Sequence, residues 1–98
     1  MVRLLMGAAA VLAFGAATQA AYRIPAERPI VLPSGDDADL VAAQCAACHS
    51  LDYVTTQPRG KGAQFWRDAV TKMKTVYGAD IDKESADRIA AYLARNFG

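Results

Sequence analysis

Histidine and cysteine are scarce in this sequence. His49 is the only histidine, and Cys45 and Cys48 are the only cysteines. That scarcity excludes several chemistries. A closed structural zinc site takes four N or S ligands, and the chain offers three. A thioredoxin-like C-x-x-C sits near a βαβ pattern, and no convincing strand is visible anywhere. A disulfide across two intervening residues would staple almost nothing. The chain has no substrate-binding or acid–base constellation of its own. Internal repeats and low-complexity tracts are absent. A strong charge of either sign is missing too, with 11 Lys+Arg against 10 Asp+Glu. That balance argues against nucleic acid or an anionic membrane as a partner.

What is present is concentrated in one run, Cys45-Ala46-Ala47-Cys48-His49. C-x-x-C-H marks covalent attachment of a c-type haem. Each thiol adds across a haem vinyl group to form a thioether. Two intervening residues set a separation that matches two vinyls on one macrocycle. The adjacent histidine then lies beneath the iron and supplies an axial nitrogen.

The start of the chain supplies a compartment. Met1-Val2-Arg3 is a short basic region, residues 4–17 are apolar and rich in Ala and Leu, and Thr18-Gln19-Ala20 resembles a small-x-small cleavage site. This pattern predicts a cleaved secretory signal peptide over residues 1–20, with an uncleaved N-terminal anchor as the competing reading. The apolar run is short for a membrane span, which needs about 20 residues. Because c-type haem is attached after export, a periplasmic location is expected, with no membrane span after cleavage. Loss of residues 1–20 leaves 78 residues, one small domain. Domains of that size rarely gain enough stability from an apolar core alone, and a tethered haem would supply a large apolar plate.

Residues 21–35 form an arm. Pro25, Pro29 and Pro33 rule out a regular helix there and favour extended chain. The run Ile30-Val31-Leu32 is too apolar for a solvated linker, so the arm packs either across its own domain or on a partner subunit. Residues 36–98 form the domain proper, expected to be all-α with about three helices. The first begins between residues 34 and 37, where Ser34 can cap and Asp36 and Asp37 suit the positive helix end. It carries the two cysteines at its C-terminal end. A loop follows over residues 50–62. The second helix covers residues 63–77 with Phe65, Trp66, Ala69, Val70 and Met73 as its apolar stripe, and Gly78 ends it. The third, capped by Asp80 or Asp82, runs to about residue 96 with Ala86, Ile89, Ala90, Leu93 and Phe97 inward.

Once Met1 and Met6 leave with the signal, Met73 is the remaining methionine. Its soft thioether suits the sixth position of haem iron, and Met/His ligation raises the reduction potential relative to two imidazoles. Ordinary core filling, an open position, or a lysine amine from Lys61, Lys72 or Lys74 are the competing readings. Trp66 and Val70 share the face of Met73 and would wall the pocket. Tyr53, Arg59, Lys61 and Trp66 all carry donors that could reach a haem propionate, with core packing or surface exposure the simpler reading for each; Arg59 is the preferred partner, because guanidinium matches carboxylate geometry. The second N–H of a ligand histidine usually goes to a carbonyl, expected near Gln57-Pro58. Charge is uneven. Residues 53–77 carry Arg59, Lys61, Arg67, Lys72 and Lys74 against Asp68 alone. This is either a solvated face or a docking surface at the haem edge.

The order His49, loop, Trp66, Met73, then a closing amphipathic helix with Tyr92-Leu93 resembles the class I c-type cytochromes across nearly all of residues 21–98. The spacing departs from most soluble members, since His49 and Met73 lie 24 positions apart. The compact Trp66-x-x-x-Val70-x-x-Met73 pattern followed by Gly78 resembles cytochrome subunits of periplasmic dehydrogenases, and the length, the Pro-rich arm and the stretch over residues 45–77 are similar to the haem subunits of bacterial sulfite dehydrogenases. That resemblance implies one covalent haem c and a molybdenum-cofactor-containing catalytic subunit as partner in a heterodimer. It also implies a downstream cytochrome c acceptor. A free soluble electron shuttle is the alternative. A haem enzyme or gas sensor is disfavoured by Met73 and by the lack of a distal His, Tyr or acid near it.

Overall fold

The computed structural model describes residues 20–98. The expected signal peptide therefore lies outside the described residues, apart from Ala20. Four helices follow the arm: α1 (Ala38–Cys45), α2 (Asp52–Thr55), α3 (Gly62–Thr75) and α4 (Lys83–Phe97). No strand occurs among the described residues, so the chain is all-α there. None of these helices is long and apolar enough to cross a membrane.

The two long helices follow their sequence patterns. In α3, Trp66 and Val70 are buried, with Phe65, Ala69 and Met73 half-buried on the same stripe. Its end is built by glycine. Gly78 adopts φ 73, and the Ala79 N–H donates to Met73 O at 2.9 Å, closing the helix with the bond that a left-handed residue allows. At the start of α4, Asp82 Oδ1 accepts from Ser85 N at 2.8 Å and its other oxygen from the Ser85 hydroxyl at 2.7 Å. Ile89, Ala90, Tyr92, Leu93 and Phe97 of α4 are buried. α4 packs mainly on α3 and secondarily on α1. Val41, Val54, Ile81 and Leu32 complete a core of eleven buried side chains with no buried polar residue among those described. Each large aliphatic in such a core contributes roughly 1.5–3 kcal/mol relative to exposure. For a domain this small the sum barely exceeds the conformational entropy of ordering it.

Two local expectations are corrected. Helix α1 is not capped by Ser34. Its N-cap is Asp37, at φ 71, without a side-chain capping bond. The Asp37 carboxylate instead accepts from Arg88 Nε at 2.8 Å, tying the entry of α1 to α4. The segment expected as loop over residues 50–62 contains α2, whose four residues are too few to show a periodicity.

The arm divides at Leu32. Leu32 is buried, and the Tyr92 hydroxyl donates to the Pro33 carbonyl, so this end is fastened to α4. Residues 27–30 lie beside Ser50, Leu51 and Asp52, with a shallow cleft between. Tyr22, Ile24 and Val31 are more than 80% exposed.

Candidate functional site

Cys45 is the last residue of α1 and is half-buried against the core, whereas Cys48 is exposed in the turn that follows. Both thiols are free. Burial pushes the Cys45 thiol up from its ordinary range. His49 follows at the end of this turn, half-buried. Its Nδ1 lies 3.1 Å from the carbonyl of Ser50. A carbonyl only accepts, so Nδ1 is the donor in this contact, and in the neutral ring Nε2 is then the acceptor nitrogen. The expected carbonyl partner near Gln57-Pro58 is therefore replaced by Ser50, because the chain turns immediately into α2. The His49 and Tyr53 rings stack with centroids 4.4 Å apart.

Met73 lies near the end of α3. It is half-buried and is not among the side chains packed on the core, so core filling does not account for it. Trp66, two turns earlier on the same face, is 3% exposed. Its ring meets Phe65 edge-on at 5.2 Å and lies 6.1 Å from Phe97. Trp66 Nε1 is the one buried side-chain polar atom without a hydrogen-bond partner among the described residues. A buried indole N–H normally finds an acceptor, and leaving one unpaired costs about 1–3 kcal/mol.

Arg59 has a partner within the fold. Its Nη1 donates to Asn96 O at 2.6 Å and its guanidinium lies 5.1 Å from the Phe97 ring centre. It thus satisfies a terminal carbonyl of α4 and places a cation at the negative end of that helix. One hydrogen bond uses a fraction of its five N–H donors. Through Phe97, Arg59 and Trp66 belong to one neighbourhood. Sequence reasoning foresaw neither the Asn96 contact nor the Tyr53 stack; the i, i+4 spacing of His49 and Tyr53 was the available signal for the latter.

Lys72 is exposed and Lys74 half-buried. Neither is in an ion pair; those seen are Lys83–Asp87 and Arg88–Asp37. The basic stretch of α3 thus stays unneutralised among the described residues. No cluster of three or more His, Cys, Asp or Glu side chains suited to a bare metal ion occurs there either.

Two thiols, an imidazole and a thioether are the donor types that a covalently tethered haem would use, and they do not make a closed site for a bare ion. A haem needs two reachable thiols, a ring nitrogen with a free lone pair beside them, and a polarisable sixth donor outside the packed core. Its propionates are acceptors of the kind that the Trp66 N–H lacks. No known protein family and no curated protein matches the chain.

Proposed function

We propose that this chain is a periplasmic mono-haem cytochrome of class I that carries single electrons. We further propose that it is the electron-accepting subunit of a molybdenum sulfite dehydrogenase, passing electrons to a downstream cytochrome c. The observation that carries the haem reading is the lone C-x-x-C-H run, whose two thiols are free and whose histidine is supported in the Nδ1–H form. When bound, haem c supplies a one-electron iron couple.

The chain's own residues do the rest. Cys45 and Cys48 would hold the haem through thioethers, and His49 Nε2 and the Met73 sulfur would bind its iron. Trp66 and Val70 would wall the pocket, with the unpartnered Trp66 Nε1–H as a donor for a propionate and Arg59 as a cation that would lower the cost of that charge. Thioether ligation and an apolar wall both favour the reduced iron and so raise the potential.

The subunit reading rests on the arm and on the unpaired Lys72 and Lys74. Tyr22, Ile24 and Val31 stand exposed on a segment stiffened by Pro25 and Pro29, anchored at Leu32. A stiff apolar segment loses little entropy on docking. The test is to purify the protein untagged from its source and add sulfite. A co-purifying protein through which sulfite reduces the haem is the expected result. A monomer whose haem sulfite does not reduce overturns the subunit reading and leaves the free shuttle. A denatured protein that lacks the added mass of one haem overturns both.

A further inference from the structure

Tyr53 has no evident structural reason for its stance. It is 65% exposed, so burial does not hold it, yet its ring lies against His49 at 4.4 Å with 36° between planes. The segment that presents it is unusually well fastened for four residues. Val54 is buried beneath. Ser50 Oγ accepts from Asp52 N at 3.3 Å, and Gln57 Nε2 donates to Tyr53 O at 2.8 Å. The Ser50 carbonyl accepts twice, from Tyr53 N at 3.2 Å and from His49 Nδ1 at 3.1 Å. The ring of Tyr53 on α2 therefore meets the imidazole, while the Ser50 carbonyl just before that helix meets its Nδ1.

We infer that Tyr53 is a positioning residue for the axial imidazole, holding the plane of His49 by its ring face while the Ser50 carbonyl holds the tautomer; this rests on the haem reading above. Ring contact restricts rotation about the His49 side chain, and the Ser50 carbonyl holds the proton of the neutral ring on Nδ1, leaving Nε2 as the donor nitrogen. Together they hold the donor ready for iron, and partners of this kind change metal affinity by about 10–100-fold when removed. The contact that matters is the ring face, not the hydroxyl, which makes no hydrogen bond in the described structure.

The experiment compares full-length, haem-matured wild type with Tyr53→Leu and Tyr53→Phe. Intact mass reports covalent haem. The spread of the haem-methyl resonances in the oxidised protein reports the orientation of the axial ring. The high-spin fraction reports loss of axial ligation. Tyr53→Leu is expected to keep its haem, alter the methyl pattern and raise the high-spin fraction about tenfold. Tyr53→Phe is expected to match wild type. A Tyr53→Leu protein with the wild-type methyl pattern and spin state overturns the inference while leaving the haem reading intact, and so does a Tyr53→Phe protein that behaves like Tyr53→Leu. Wild type without covalent haem overturns the haem reading itself. If Tyr53→Leu does not mature, Tyr53→Phe and the wild-type His49 Nδ1 proton decide. Normal Tyr53→Phe behaviour with slow exchange of that proton supports the inference, and fast exchange overturns it.

Discussion

The unpaired indole of Trp66 permits a test whose sign is decisive. Replacing Trp66 by benzothienylalanine keeps the size and shape of the side chain but puts sulfur where the N–H was. No cavity opens, so the change isolates the donor. If nothing accepts from Nε1 in the mature protein, the substitution removes a buried, unsatisfied group and should stabilise by about 1–3 kcal/mol. If the N–H donates to a haem propionate, the substitution removes a bond to a charged acceptor and should destabilise by roughly 1.5–3 kcal/mol. Burial makes both values large, since Trp66 is 3% exposed and water cannot take the missing partner's place. The two outcomes thus differ by several kcal/mol with opposite signs. For a domain of this length each kcal/mol shifts Tm by roughly 4–8 °C. Guanidinium unfolding followed by helical circular dichroism, on the haem-loaded protein, measures the difference. We expect destabilisation, accompanied by loss of a slowly exchanging indole proton from the wild-type spectrum. A stabilised or unchanged protein refutes the assignment of Trp66 to the haem pocket.

Other consequences are accessible to simple measurements. Met73→Ala should lose the sulfur-to-iron charge-transfer band of the oxidised protein in the near infrared and lower the reduction potential; an unchanged spectrum would remove Met73 from the iron. Tyr92→Phe should cost about 1 kcal/mol by freeing the Pro33 carbonyl, and should speed proteolysis of residues 20–31 without altering the haem spectrum. Asp82→Ala should lower Tm at neutral pH through loss of the α4 cap. The Ser85 N–H, and next the Ser85 hydroxyl, hold the Asp82 carboxyl below its ordinary range. The stability it contributes is therefore present above the unfolded carboxylate pKa and is lost as pH falls through the lower folded value. A series of Tm measurements against pH should show the wild type and Asp82→Ala converging in acid.

Amphipathic patterning made α3 and α4 legible before any coordinates. Trp66 and Val70, and Ile89, Ala90, Leu93 and Phe97, recur at helical spacing, and a stripe of that width must be buried. Gly78 and Asp82 mark boundaries by local chemistry, one through its backbone freedom and the other through its side-chain acceptor. Ser34 was misread as the cap of α1, because the bond that fixes Asp37 at that position is to a distant side chain and leaves no local signal. The partner of Asp37, Arg88, is 51 residues away. α2 was invisible because one turn cannot display a period. Arg59 was foreseen as a cation for an anionic ligand, but its bond to Asn96 spans 37 residues and is a product of how α4 closes the domain.

The sequence by itself determined the chemistry the chain can offer and the helical class of its domain. The spacing of Cys45, Cys48 and His49 is covalent and local, as are helical periodicity, caps and the stiffness of a proline-rich arm. Nothing distant is needed to read them. Only the tertiary structure decided which groups are left without partners. Trp66 Nε1 is orphaned because α3 and α4 pack around it, and Met73 stands off the core because that packing ends before it. His49 meets Tyr53 because a buried Val54 pins the intervening turn. Leu32 is fastened while Tyr22, Ile24 and Val31 are exposed because α4 reaches the arm only at Pro33. Apart from the His49–Tyr53 contact, which is local, each of these depends on contacts between segments far apart in the chain, whose pairing follows from the fit of whole surfaces and not from any single residue's preference.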